Sequence, residues 1–149
     1  MADDFSTLAT ALQDGLGEWL AAHAGVRAAF GTNPVRVLTA ADERAVMPYL
    51  QTGEDDFLPA DTQGQPARIA TSRVHVWTRE PGFTLCKQIG GGVLAALSVT
   101  GPDGANNGLT AAGYELVYGV NVLERYMRDP AANVRHGVLD FELRFVPAA

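Results

Sequence analysis

Residues 138–145, VLDFELRF, decide the fold class. Leu139, Phe141, Leu143 and Phe145 alternate there with Val138, Asp140, Glu142 and Arg144. A period of two sends one set into a core and the other into water, which marks a strand in a sheet with one covered face. Upstream, Tyr114, Leu116, Tyr118, Val120, Val122 and Tyr126 alternate along a strand that can run to Arg128. Asp129-Pro130 begins the connection between the two, so the pattern predicts a long C-terminal β-hairpin. At roughly 3.3 Å per residue each arm reaches about 40 Å. The ends of so long a hairpin are expected to project and meet another subunit.

Working outward, residues 67–79, ARIATSRVHVWTR, read as a strand with Val74 and Val76 on one side and His75 and Trp77 on the other. Pro48 to Thr52 read as an edge strand because of the proline, and Val35, Val37 and Thr39 as a short strand before it. Between them and the 67–79 strand lies GEDDFLPADTQGQP, residues 53–66, which reads as a long acidic loop. Phe57 and Leu58 within it either fold back on the core or dock onto a partner, and folding back is preferred.

Two helices complete the pattern. Phe5, Leu8, Ala9, Leu12, Leu16, Trp19 and Leu20 share one helical face, with Asp3, Asp4 or Ser6 as caps. Gly15 and Gly17 each cost that helix about 1 kcal/mol, which its packing must outweigh. Val26 to Phe30 adds one more turn before the Gly31-Thr32-Asn33-Pro34 break. Leu85, Cys86, Ile89, Val93, Ala96 and Leu97 form the second helix, and TGPDGANNG, residues 100–108, a turn-rich loop. The expected architecture is α+β: a single domain over residues 1–149, a mainly antiparallel sheet with two helices packed on one face.

Composition narrows the function. The chain has 149 residues, 47% hydrophobic and 19% charged, which suits a globular domain and excludes a wholly disordered one. No run approaches a membrane span, and the acidic start MADDFSTLAT lacks the form of a secretory signal. A net charge of −6 disfavours gripping a nucleic-acid backbone. One cysteine, Cys86, forms no internal disulfide and fits synthesis in a reducing compartment.

No site chemistry stands out. His23, His75 and His136 lack a second histidine or cysteine three or four residues away, so no metal is expected. Ser6, Ser72 and Ser98 are outside any GxSxG, and Cys86 sits on an apolar helix face. Residues 90–95, GGGVLA, match a relaxed GxGxxA but sit inside a helix, where small residues let it approach the sheet. Glu54, Asp55 and Asp56 lack the spacing of a calcium loop. No catalytic residue and no cofactor is assigned.

In order along the chain stand ALQDGLGEWLAAHAGVRAAFG, PYLQTGEDD, RVHVWTREPG, KQIGGGVLAAL and LERYMRDPAANVRHGVLDFELRF. These phrases resemble the phage tail completion proteins, also called tail terminator or head-to-tail joining proteins, with their prophage and gene-transfer-agent relatives. The closing phrase matches best. The connector TGPDGANNG and its following Leu109 to Gly113 look longer than the family's usual link.

The resemblance implies a virion structural role: a ring, commonly a hexamer, at the head-proximal end of the tail. It would stop tube polymerisation and join the tail to the neck. The implied partners are other copies, the tail-tube protein and a head–tail connector, with DNA passing through the lumen unbound. Six copies would carry about −36, a charge that keeps DNA off the wall. Synthesis would be in the bacterial cytoplasm. Candidate subunit contacts are Glu54, Asp55, Asp56, Phe57 and Leu58 in the acidic segment, which extends to Asp61, and Arg128, Asp129 and Arg135 around the hairpin turn. The competing readings are a neighbouring connector or an assembly chaperone, and a small α+β enzyme or ligand-binding domain using His75 or His136 with nearby acids such as Asp140.

Overall fold

The computed structural model describes residues 4–41, 44–98 and 108–149. Two helices, α1 (Leu8–Ala22) and α2 (Ala24–Phe30), precede strands β1 (Val37–Leu38), β2 (Tyr49–Pro59) and β3 (Arg68–Arg79). Helix α3 (Thr84–Leu97) follows, and β4 (Tyr114–Arg128) and β5 (Val134–Pro147) close the chain. The sheet order is β1-β2-β3-β5-β4. Every pairing is antiparallel except the two-residue β1–β2 contact.

The alternation in VLDFELRF is realised as expected. Leu139, Phe141, Leu143 and Phe145 are fully buried, and Ala70, Val74 and Val76 of β3 join them on the same face. All the helices pack there, through Leu8, Leu12, Leu16 and Leu20 of α1, Val26 and Phe30 of α2, and Cys86, Ile89, Val93 and Leu97 of α3. Each such leucine contributes about 1.5–3 kcal/mol by leaving water. The glycines of α3 work by size: a Cβ on Gly90 would lie 2.0 Å from the Tyr126 hydroxyl, and one on Gly92 3.1 Å from the backbone of α2. Ala9, expected on the buried face of α1, is exposed.

Four expectations are corrected. Half of the 53–66 stretch, from Gly53 to Pro59, is strand. After a bulge at Gly53 (φ 117°), Glu54 to Pro59 pair with Arg73 to Arg68, and the loop shrinks to a turn around Gln63 and Gly64. Phe57 packs against the core, whereas Leu58 is 64% exposed. Second, β4 does not hold one alternation. Bulges between Leu116 and Tyr118 and between Asn121 and Leu123 each reverse the facing, so Tyr118 and Val120 lie opposite to Leu116 and Tyr126. Third, the hairpin does not stand away from the sheet, because β3 runs beside β5 from Arg68↔Phe145 to Arg79↔Val134. Fourth, Asp4 accepts from Ser6 in the turn before α1 and does not cap the helix, whose first flanking residue is Thr7. Asp3 and most of the 100–108 loop lie outside the described residues.

Candidate functional site

The face of the sheet away from the helices gathers the polar residues. His75 on β3 and His136 on β5 are two strands' neighbours, with His75 Nδ1 2.7 Å from His136 Nε2. His75 Nε2 lies 2.6 Å from Glu54 Oε1 on β2. His136 stacks on Trp77 at 3.8 Å, and the Trp77 indole donates to Gln51 Oε1 at 3.3 Å. Burial, reinforced by repulsion from His75, pushes His136 down to about 4. It is therefore neutral at pH 7 and can complete the chain either as donor or as acceptor.

Asp140 serves a different partner. Its carboxylate takes two parallel bonds from Arg73, at 2.8 and 3.0 Å. A shallow cavity of about 260 Å³ is lined by Glu54, Asp55, Asp56, Thr71, Arg73 and Asp140, and neither histidine borders it. Asp55 turns to the helix-covered face opposite Ser72. Burial raises its carboxyl pKa, and Asp55 Oδ1 and Ser72 Oγ find no hydrogen-bond partner among the described residues. The histidines and acids so placed form a cross-strand clamp over β2, β3 and β5. They do not converge on a pocket as an acid–base pair would. Cys86 is buried and pushed up to about 11 by that burial, which keeps it a thiol. Among the described residues no three metal-ligating side chains form a cage.

The hairpin-turn residues divide. Asp129 Oδ1 accepts from the Ala131 amide and shapes the turn, where Asn133 takes a left-handed φ of 60°. Arg135 is only 7% exposed and donates to the carbonyls of Pro81, Gly82 and Val134. It braces the start of α3 and is not free to reach a neighbour. Arg128 is exposed and lies 5.2 Å from the Phe83 ring centre, which Lys87 approaches at 5.5 Å. Together with Arg125 and Arg79, also exposed, they make this end of the sheet cationic.

Two capping residues escaped the sequence reading. Glu80 accepts from the Leu85 and Cys86 amides at 2.9 and 2.8 Å and so caps α3 from four residues upstream. His23 Nδ1 accepts from the Val26 amide and starts α2. A glutamate so far before its helix has no fixed-spacing signature, and histidine is not among the usual caps.

The family model described as tail completion protein gp17 matches residues 15–145, from mid-α1 to the end of the hairpin. The chain belongs to that family. It is thus a structural protein of a phage-type tail. The tail completion chain also resembles a solved chain titled "Virion of native gene transfer agent (GTA) particle". The TM-score is 0.75 at 23% identity, over 95% of this chain and 98% of that one. That likeness is one of fold. No curated protein matches the tail completion chain.

Proposed function

We propose that this protein forms a ring of six copies at the head-proximal end of a phage or gene-transfer-agent tail. The ring ends growth of the tube and joins it to the neck. The observation that carries this reading is the family match over residues 15–145. The sheet supports it, because β4 and the outer half of β2 are edges with no strand beside them among the described residues. A closed ring needs two different surfaces on each copy, and two opposite edges supply them. The partners on this reading are other copies, the tail-tube protein and the connector, with DNA threading a lumen kept free of attraction by the net charge of −6 per chain. Glu54 to Leu58 and the turn with exposed Arg128 and half-buried Asp129 are the proposed contacts. Arg135 would act only by holding that turn in shape.

The test is native mass by light scattering across concentration, alone and with purified tail-tube protein. A mass near six times 15.8 kDa in either case is expected. A chain that stays monomeric in both would overturn the ring and favour the connector or chaperone.

A further inference from the structure

The two sheet edges carry opposite charge, and this resolves which surface of one copy meets which surface of the next. On β2 the open segment Glu54 to Pro59 presents exposed Asp56 and Glu54, the latter also reaching His75, with Asp61, which pairs with Arg68, just beyond. Leu58 stands among them at 64% exposure. At the other side of the molecule, β4 presents Arg125 and Arg128, with Lys87 of α3 and Arg79 nearby. Its bulges expose Val117 and Val122 at 43% and 55%. Glu80, which caps α3, Asp129, which holds the turn, and Glu124, which accepts from Tyr126, keep their charges but are outnumbered there by Arg79, Lys87, Arg125 and Arg128. The sheet thus has one acidic edge segment with an apolar tip, and a β4 edge that is cationic at its hairpin end, beside apolar bulges, with Glu115 at its far end.

We infer that the acidic β2 edge of one copy seats against the cationic β4 edge of a second copy of this chain. The inference rests on the ring reading and names the two faces of its repeated contact. A self-complementary dimer would set like edge against like, placing Glu54 and Asp56 beside their own counterparts. Charge opposition disfavours that arrangement and favours head-to-tail joining. The bulges on β4 interrupt a regular ladder, so side chains carry the contact more than new backbone bonds.

Charge reversal tests it, with the full chain and tail-tube protein in the assay. Asp56→Arg and Arg125→Glu alone should each raise the concentration for half-assembly by about tenfold, and the double variant should recover most of the loss. Both residues are exposed, so unchanged thermal melts are expected. Should either reversal disturb folding, Asp56→Asn and Arg125→Gln replace it, and a double variant that loses no more than one single supports the pairing whereas fully additive losses overturn it. Rings that form at wild-type strength in both single variants, or single-variant losses that the double does not recover, overturn this pairing and leave the ring intact. A chain monomeric under every condition overturns the ring and the pairing together.

Discussion

Gly15 and Gly17 lie two residues apart on α1 and answer to different constraints. A Cβ on Gly15 would sit 1.9 Å from the Thr110 carbonyl oxygen, whereas one on Gly17 would meet nothing within 4 Å. Gly15→Ala should therefore destabilise the fold by about 1–3 kcal/mol through overpacking. Gly17→Ala should stabilise it by about 0.5–1 kcal/mol through helix propensity and a less flexible unfolded chain. Urea midpoints of the two variants check this, and equal effects would refute the assignment. The sequence shows that both glycines are costly in a helix. It cannot show which one a distant carbonyl requires, because that carbonyl comes from beyond α3.

His136 makes a second prediction at the same scale. Its folded pKa, about 4, lies below the unfolded value of 6.5. The unfolded chain thus binds more protons between those values, and stability must fall as pH drops through the window. The ring is only half-buried, so screening limits the loss to about 1–2 kcal/mol. Asp55 has the opposite sign, since its raised pKa favours the folded state as acid is added. Comparing His136→Gln with the parent at pH 7.5 and pH 5 isolates the histidine. The variant should lose less stability than the parent on acidification. Protonation beside Trp77 should also quench its fluorescence in the folded parent, but only as pH falls through about 4.

At the scale of elements, the start of α3 is held by the hairpin as well as by its own turn. Glu80 caps the helix, its amide donates to Asn133 O at 2.6 Å, and Arg135 binds the two carbonyls that follow Glu80. Glu80→Ala should cost about 1–2 kcal/mol. Arg135→Ala should cost about 2–3 kcal/mol by removing the bonds from a buried guanidinium to the Pro81, Gly82 and Val134 carbonyls. The two losses should be less than additive in a double-mutant cycle, and full additivity would show that they act separately. An assembly test at the turn should therefore vary Arg128 and Asp129 and spare Arg135.

Elements also show where sequence reading stops. Strand β5 was legible because one face is uniformly apolar, and α1 and α3 because four or more buried residues repeat at helical spacing. The outer half of β2 was not. Glycine, proline and acids are depleted in strands, and Asp55 occupies an inward position that an apolar residue would have marked. An edge tolerates that composition because only one side must pair. In β4 two single-residue insertions reversed the facing without altering the texture of the sequence. His75 was legible only as sharing a face with Trp77 on its own strand, and His136 only as a residue near the hairpin turn. Their meeting with each other and with Glu54 depends on register, which no local pattern carries.

At the scale of the whole molecule, the chain spreads a net −6 unevenly, with cations collected at the hairpin end. If opposed edges drive association, added salt should weaken it. Moving from about 0.05 to 0.5 M monovalent salt shortens the screening length severalfold. The concentration for half-assembly should rise across that range, by analytical ultracentrifugation. No salt dependence would show that Leu58, Val117 and Val122 carry the contact without the charges.

The two bulges of β4 have a consequence for symmetry. A bulge bends its strand and tightens its twist, so Val117 and Val122 set the tilt of one lateral margin of the subunit against the other. In a closed circle that tilt is a wedge angle, about 60° per step for six members. On the proposed ring reading, copy number would then reside in no single contact. Deleting Val122 would straighten the margin, and the resulting assemblies would close at a different count or run on as an open spiral.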